Sequence, residues 1–129
     1  MFTRATVVTL VLLMGTPVIA DEHSDVVLPD IPILSEQDSV DLLTGLVVAN
    51  VVSQNCEGFE ISDAEWELLN GSAAILAQRF QLDPPQYNEM FLHPAYGVLS
   101  RDDGCSDEGP LIQPLIERLI GWGAALEYP

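Results

Sequence analysis

The sequence predicts an all-α protein: a small bundle of about four helices with one disulfide, following a cleaved signal peptide. Three observations carry that expectation. Apolar residues recur at three- and four-residue steps over much of the 129-residue chain, the spacing of a helical face. Ser35, Ser62 and Asp83 each have an acidic or amide residue three places on, the arrangement that caps the first turn of a helix. No alternating run bounded by turn residues marks a strand, and no internal repeat is present.

The first twenty residues read as an export signal. Arg4 supplies the positive start, Ala5 to Met14 an apolar stretch, and Gly15 to Ala20 a helix-breaking segment with Val18 and Ala20 at the −3 and −1 positions of the cut. The competing reading is a membrane anchor, but the uncharged run from Ala5 to Ala20 is shorter than the roughly 20 apolar residues of a spanning helix and contains Pro17. The mature chain is expected to begin at Asp21 and to reside in a periplasm or outside the cell. The domain reading is then residues 1–20 signal, 21–34 extended arm, and 35–129 a single helical domain.

Pro29 and Pro32 in the arm exclude a helix and favour extended backbone, lying on the body or left loose. Ser35 then caps a helix running to about Asn55. Its apolar positions Val40, Leu43, Val47 and Val51 form one stripe, widened by Leu42, Leu46, Ala49 and Val52, so most of it should be buried; Gly58 stops it. Ser62 and Glu65 form a capping box for a second helix carrying Trp66, Leu69, Ala73, Leu76 and Phe80, ending before Pro84. Asp83, Pro84 and Gln86 start a short third helix with Tyr87, Met90 and Phe91, closed by His93 and Pro94. Residues 100–109 read as a polar loop. A last helix starts near Pro110 or Pro114 and continues to Leu126.

Cys56, at the end of the first long helix, and Cys105, before the last, are the only cysteines. In an oxidising compartment they are expected to form a structural bridge. A redox pair is the alternative, without the close Cys-x-x-Cys spacing that catalytic exchange normally uses. Zinc has only His93 as a further nitrogen ligand in the body.

Charge narrows the function. All 20 acidic residues lie at or after Asp21, there is no lysine, and Arg4 leaves with the signal. Three arginines against 20 carboxylates make the mature charge −17 over 109 residues. Such a surface repels phosphate backbones and anionic lipid, so neither nucleic acid nor, after signal cleavage, a membrane is an expected partner. It suits a basic protein, a cationic small molecule, a divalent metal or simple solubility. The sequence assigns no oligomeric state.

Catalytic patterns are missing. His93 is the only histidine of the helical body, so a hydrolytic triad has a single available base, and its place before Pro94 suits packing or capping a helix C-terminus. Neither a glycine-rich phosphate loop nor a His-Glu-x-x-His motif occurs. Asp102, Asp103, Asp107 and Glu108 gather four carboxylates but lack the Asp-x-Asp-x-Asp-Gly calcium spacing. Cleavage after Ala20 leaves Asp21-Glu22-His23 at the terminus. Its α-amine, two amide nitrogens and the imidazole form a square-planar donor set for copper(II) or nickel(II).

The signal, the proline-spaced arm, the helix ending in Asn55-Cys56 and the second cysteine before a C-terminal amphipathic helix resemble small exported helical proteins of alphaproteobacteria, a group that carries no assigned activity. The Cys56-Glu57-Gly58-Phe59 turn and its distance from Cys105 also resemble the periplasmic acid-stress chaperones. That resemblance implies a small helical protein with one disulfide that exposes apolar surface as carboxylates protonate; those chaperones are rich in lysine, which this chain lacks. The expected function is non-catalytic binding, foremost to another protein, with Trp66, Tyr87, Phe91 and Trp122 packed inside or lining a groove.

Overall fold

The computed structural model describes residues 25–127. The segment read as a signal peptide lies outside these, as do Asp21, Glu22 and His23. The described residues form four helical runs around one core, with no strand; an isolated antiparallel bridge joins Val27 and Ala125.

Helix α1, Glu36–Asn55, is the hub, against which all the other helical runs pack. Ser35 Oγ accepts from the Asp38 N–H at 3.1 Å, and Glu36 and Asp38 face the positive end of the helix dipole. Leu42, Leu43, Leu46, Val47, Val51 and Val52 are all buried. They spread round the helix rather than along a narrow stripe, which is why neighbours cover it on several sides. The helix stops at Asn55, ahead of Gly58; Cys56 is already extended. Gly58, at φ 89°, takes the left-handed place in the turn that the Phe59 N–H closes onto the Cys56 carbonyl at 3.3 Å.

The short connection returns helix α2, Asp63–Arg79, antiparallel to α1. Its capping box is complete: Ser62 Oγ accepts from the Glu65 N–H at 3.1 Å, and Glu65 Oε1 accepts from the Ser62 N–H at 3.0 Å. Leu68, Leu69, Ser72, Ala73 and Leu76 face α1 and the core. Asn50 Nδ2 donates to Asn70 Oδ1 across the two helices.

Helix α3, Pro84–Tyr87, is capped by Asp83 and Gln86 as the sequence predicts. The helical path does not close at His93 and Pro94. It widens into a π-turn over Asn88–Leu92, resumes as α4, His93–Gly97, and tightens to a 3₁₀ turn over Val98–Ser100. The His93 N–H bonds five residues back to the Asn88 carbonyl. The extra residue in that turn supplies the relief a proline ring needs from the carbonyl four residues before it, so Pro94 is accommodated and the chain runs on.

Residues 100–109 are likewise more ordered than a polar loop. Helix α5, Gly104–Glu108, leads through a 3₁₀ turn, Gly109–Leu111, into α6, Ile112–Gly121. Gly104 needs its missing side chain here, because a Cβ would stand 2.0 Å from the Val98 carbonyl oxygen. The last helix ends well before Leu126. Gly123, at φ 94°, makes a Schellman stop: its N–H bonds the Ile120 carbonyl at 2.9 Å and the Ala124 N–H bonds the Leu119 carbonyl at 3.1 Å.

The arm lies on the body. Val27 exchanges two backbone bonds with Ala125, at 2.8 and 3.0 Å, and the Asp30 N–H bonds the Trp122 carbonyl at 2.9 Å. Pro29 and Ile31 are buried.

Candidate functional site

The two cysteines meet. Cys56 and Cys105 form a disulfide whose Cα atoms are 5.6 Å apart, spanning 49 positions of sequence. It ties the end of α1 to α5, and Cys56 is buried. With both cysteines bonded, no free thiol remains among the described residues.

Other candidate residues are scattered. His93 does not pack inside; it is exposed at the junction where the π-turn Asn88–Leu92 ends and α4 begins. The acidic segment does not converge: the Asp103 carbonyl accepts from Ser106 Oγ at 3.1 Å, while Glu108 pairs with Arg101 at 3.5 Å. Among the described residues, no group of three or more His, Cys, Asp or Glu is placed to hold a metal ion. The copper-binding set Asp21, Glu22, His23 falls outside the described residues.

Each arginine among the described residues is engaged within the chain. Arg79 donates from Nη2 to the Ile31 carbonyl at 2.6 Å and from Nη1 to the Pro32 carbonyl at 3.1 Å. Arg101 holds Glu108, and the Arg118 guanidinium lies 4.8 Å from the centre of the Trp122 ring. Fifteen of the eighteen described carboxylates are exposed. The outer surface therefore presents negative charge with its few cations occupied.

The aromatic residues divide. Phe91 is buried, and Tyr87 is half-buried with its ring 6.2 Å from that of Phe91. Burial pushes the Tyr87 phenol above its ordinary value. Trp66 leaves the core stripe on which its helical spacing places it and is 38% exposed. It sits in the first turn of α2, beside Ser53 and Gln54 at the last turn of α1, where the neighbouring helix runs out and cannot cover it.

Two grooves result. One runs between α1 and α6, about 210 Å³, floored by Gly45, Val48, Leu111 and Leu115 with Asp41, Glu108 and Arg118 around it. The other follows the outer face of α2. There Trp66 stands between a hollow of about 360 Å³ containing Glu60, Ile61 and Asp63 and one of about 350 Å³ containing Val26, Leu28, Glu67 and Gly71. Asn70 joins the second hollow to a third, about 380 Å³, whose floor is Ala74 and Ala77 and whose far wall is Leu82, Pro84 and Tyr87. Leu28 lies directly on Gly71, where a Cβ would come within 2.4 Å of its Cδ2.

The sequence offers the two aromatic ends of this trough, Trp66 and Tyr87, as core or groove residues, but not the floor between them. Its signal is present as Trp66, Asn70, Ala74 and Ala77 at steps of four, four and three, but small residues at that spacing equally describe a packed face. Neither a protein-family model, nor a curated protein, nor a solved structure matches this chain.

Proposed function

We propose that this chain is an exported, non-catalytic helical protein that acts by binding a basic partner protein. The observation that carries this reading is the disposition of charge: three arginines, each in contact with one of the chain's own groups, against fifteen exposed carboxylates. A surface of one sign raises the local concentration of oppositely charged partners and speeds their encounter. The same field disfavours nucleic acid and anionic lipid. Export is supported by the tripartite N-terminal pattern and by a disulfide, the bond that oxidising compartments maintain.

The test is capture on the immobilised mature protein from a periplasmic extract, eluted by increasing salt, followed by re-titration of the purified partner. The expected partner has an isoelectric point above neutrality, binds stoichiometrically on return, and weakens as salt rises. Retention of only acidic proteins, or affinity indifferent to salt, contradicts the reading.

A further inference from the structure

We infer that the trough along α2, from Trp66 to Tyr87, is the docking site for a cationic amphipathic segment of the partner protein, an apolar residue flanked by Lys or Arg. The inference rests on the binding role proposed above and gives it a place on the molecule.

Trp66 and Ala77 are eleven steps apart along the helix, about 16 Å at roughly 1.5 Å per step, which matches roughly three turns of helix or five residues of strand. Beyond Asn70 the trough is floored by the small side chains Ala74 and Ala77, so a partner backbone can approach closely there and seat an apolar side chain between Trp66 and Tyr87. Trp66 and Leu28 are 38% and 43% exposed. A tryptophan presented at the surface beside a concave apolar floor is the residue type on which interface energy concentrates.

Charge selects the occupant. Glu60 and Asp63 flank Trp66 on one side and Glu67 on the other. The Glu67 Oε2 atom is shielded from solvent and has no hydrogen-bond partner among the described residues. An ammonium or guanidinium entering beside Trp66 gains the ring face and the negative charge of the Glu67 carboxylate, which no hydrogen bond to Oε2 offsets. A second copy of this chain fits poorly, because three arginines and eighteen carboxylates leave the described residues at −15 and two such bodies repel.

The test uses the disulfide-bonded mature chain and a labelled synthetic peptide of about twelve residues, Leu and Lys in amphipathic order, three turns of helix long. Fluorescence anisotropy is read at near-physiological salt, beside counterparts with Leu replaced by Ser and with Lys replaced by Glu. Trp66→Ala and Ala74→Arg alter the trough at exposed positions, and Leu111→Ser alters the rival groove; thermal melts establish that each variant is folded. The expected result is at least about tenfold weaker binding for both trough variants, as for loss of a central anchor. Leu111→Ser should bind as the parent does, and both counterpart peptides should bind poorly. The site is overturned if the trough variants bind like the parent, if Leu111→Ser is the variant that loses affinity, or if sedimentation shows a dimer that Ala74→Arg dissociates. A basic partner captured as above but indifferent to the trough variants removes this site and leaves the binding role. Failure of the parent to hold either that peptide or any basic protein removes both.

Discussion

The guanidinium of Arg79, at the last turn of α2, holds the carbonyl of Ile31 in the arm at 2.6 Å, 48 positions away in sequence. One arginine thus fastens a segment that has no regular structure of its own. Its planar fork reaches the adjacent Pro32 carbonyl as well, a geometry that lysine cannot copy.

Arg79→Ala is expected to cost about 1–2 kcal/mol, the scale for losing hydrogen bonds from a charged donor at a partly exposed site. Amide hydrogen exchange locates the effect. The Val27 and Asp30 N–H groups, which bond the Ala125 and Trp122 carbonyls, should exchange faster while those of α1 keep their protection. Unchanged exchange at Val27 and Asp30 means the arm is held by Ile31 and Pro29 burial alone.

Closing a loop of 49 positions disfavours the unfolded chain by about 4 kcal/mol in the chain-entropy treatment. The Cys56→Ser, Cys105→Ser double variant should fall in stability by that order in urea titration. Because Cys56 is buried, thiol titration of the native protein with reductant should lag far behind that of the denatured protein. Equal stability with and without the bridge refutes its structural role.

Gly104→Ala is expected to destabilise by about 1–3 kcal/mol, the range for forcing atoms into packed space. The obstacle is the Val98 carbonyl oxygen, 2.0 Å from where the new Cβ would stand, and backbone yields less readily than a side chain. Gly97→Ala offers a control in the same region, since a Cβ there meets nothing within 4 Å. Melting temperatures of the two variants should separate clearly; coincident values contradict the close approach of α5 to the Val98–Ser100 turn.

Partial burial by itself raises the Glu65 carboxyl, but hydrogen bonds from the Ser62 N–H, the Gln113 side chain and the Ser62 hydroxyl outweigh it and leave the group below its ordinary value. A carboxylate held down in the folded state contributes stability above its unfolded value, and that contribution disappears as pH falls through the folded value. Solvent screening keeps the effect small. Glu65→Gln should therefore lower stability by about 0.5 kcal/mol at neutral pH, and the difference should shrink as pH falls and the Glu65 carboxylate of the folded protein takes up its proton. A difference that grows on acidification reverses the sign and defeats this account.

Local chemistry made the helix starts legible. Ser35, Ser62 and Asp83 cap where their side chains and the residues three places on indicate, because capping is settled within one turn of chain. The pairing of Cys56 with Cys105 was legible for a different reason: there are only two cysteines to join. Pro94 misleads because the relief comes from a π-turn before it, and helical periodicity does not announce a five-residue hydrogen bond. The helix at Gly104–Glu108 was hidden in a polar composition; its approach to Val98 and the bridge at Cys105 are tertiary facts. The stop at Gly123 was available in the sequence, but the apolar Leu126 beyond it extends the apparent pattern. Trp66 shows the general limit. Spacing says which residues share a face, whereas exposure depends on where the neighbouring helix ends.

The most direct measurement is a nuclear magnetic resonance titration of the disulfide-bonded protein with the Leu/Lys peptide, following the indole N–H signals of Trp66 and Trp122. Trp66 lies in the trough, while Trp122 lies beneath Arg118 near the anchored arm. The account predicts that the Trp66 signal shifts saturably, together with the amides of Asn70, Ala74 and Ala77, while the Trp122 signal stays in place. A saturable shift of Trp122 with Trp66 unmoved, or small shifts spread evenly over every acidic face, contradicts it.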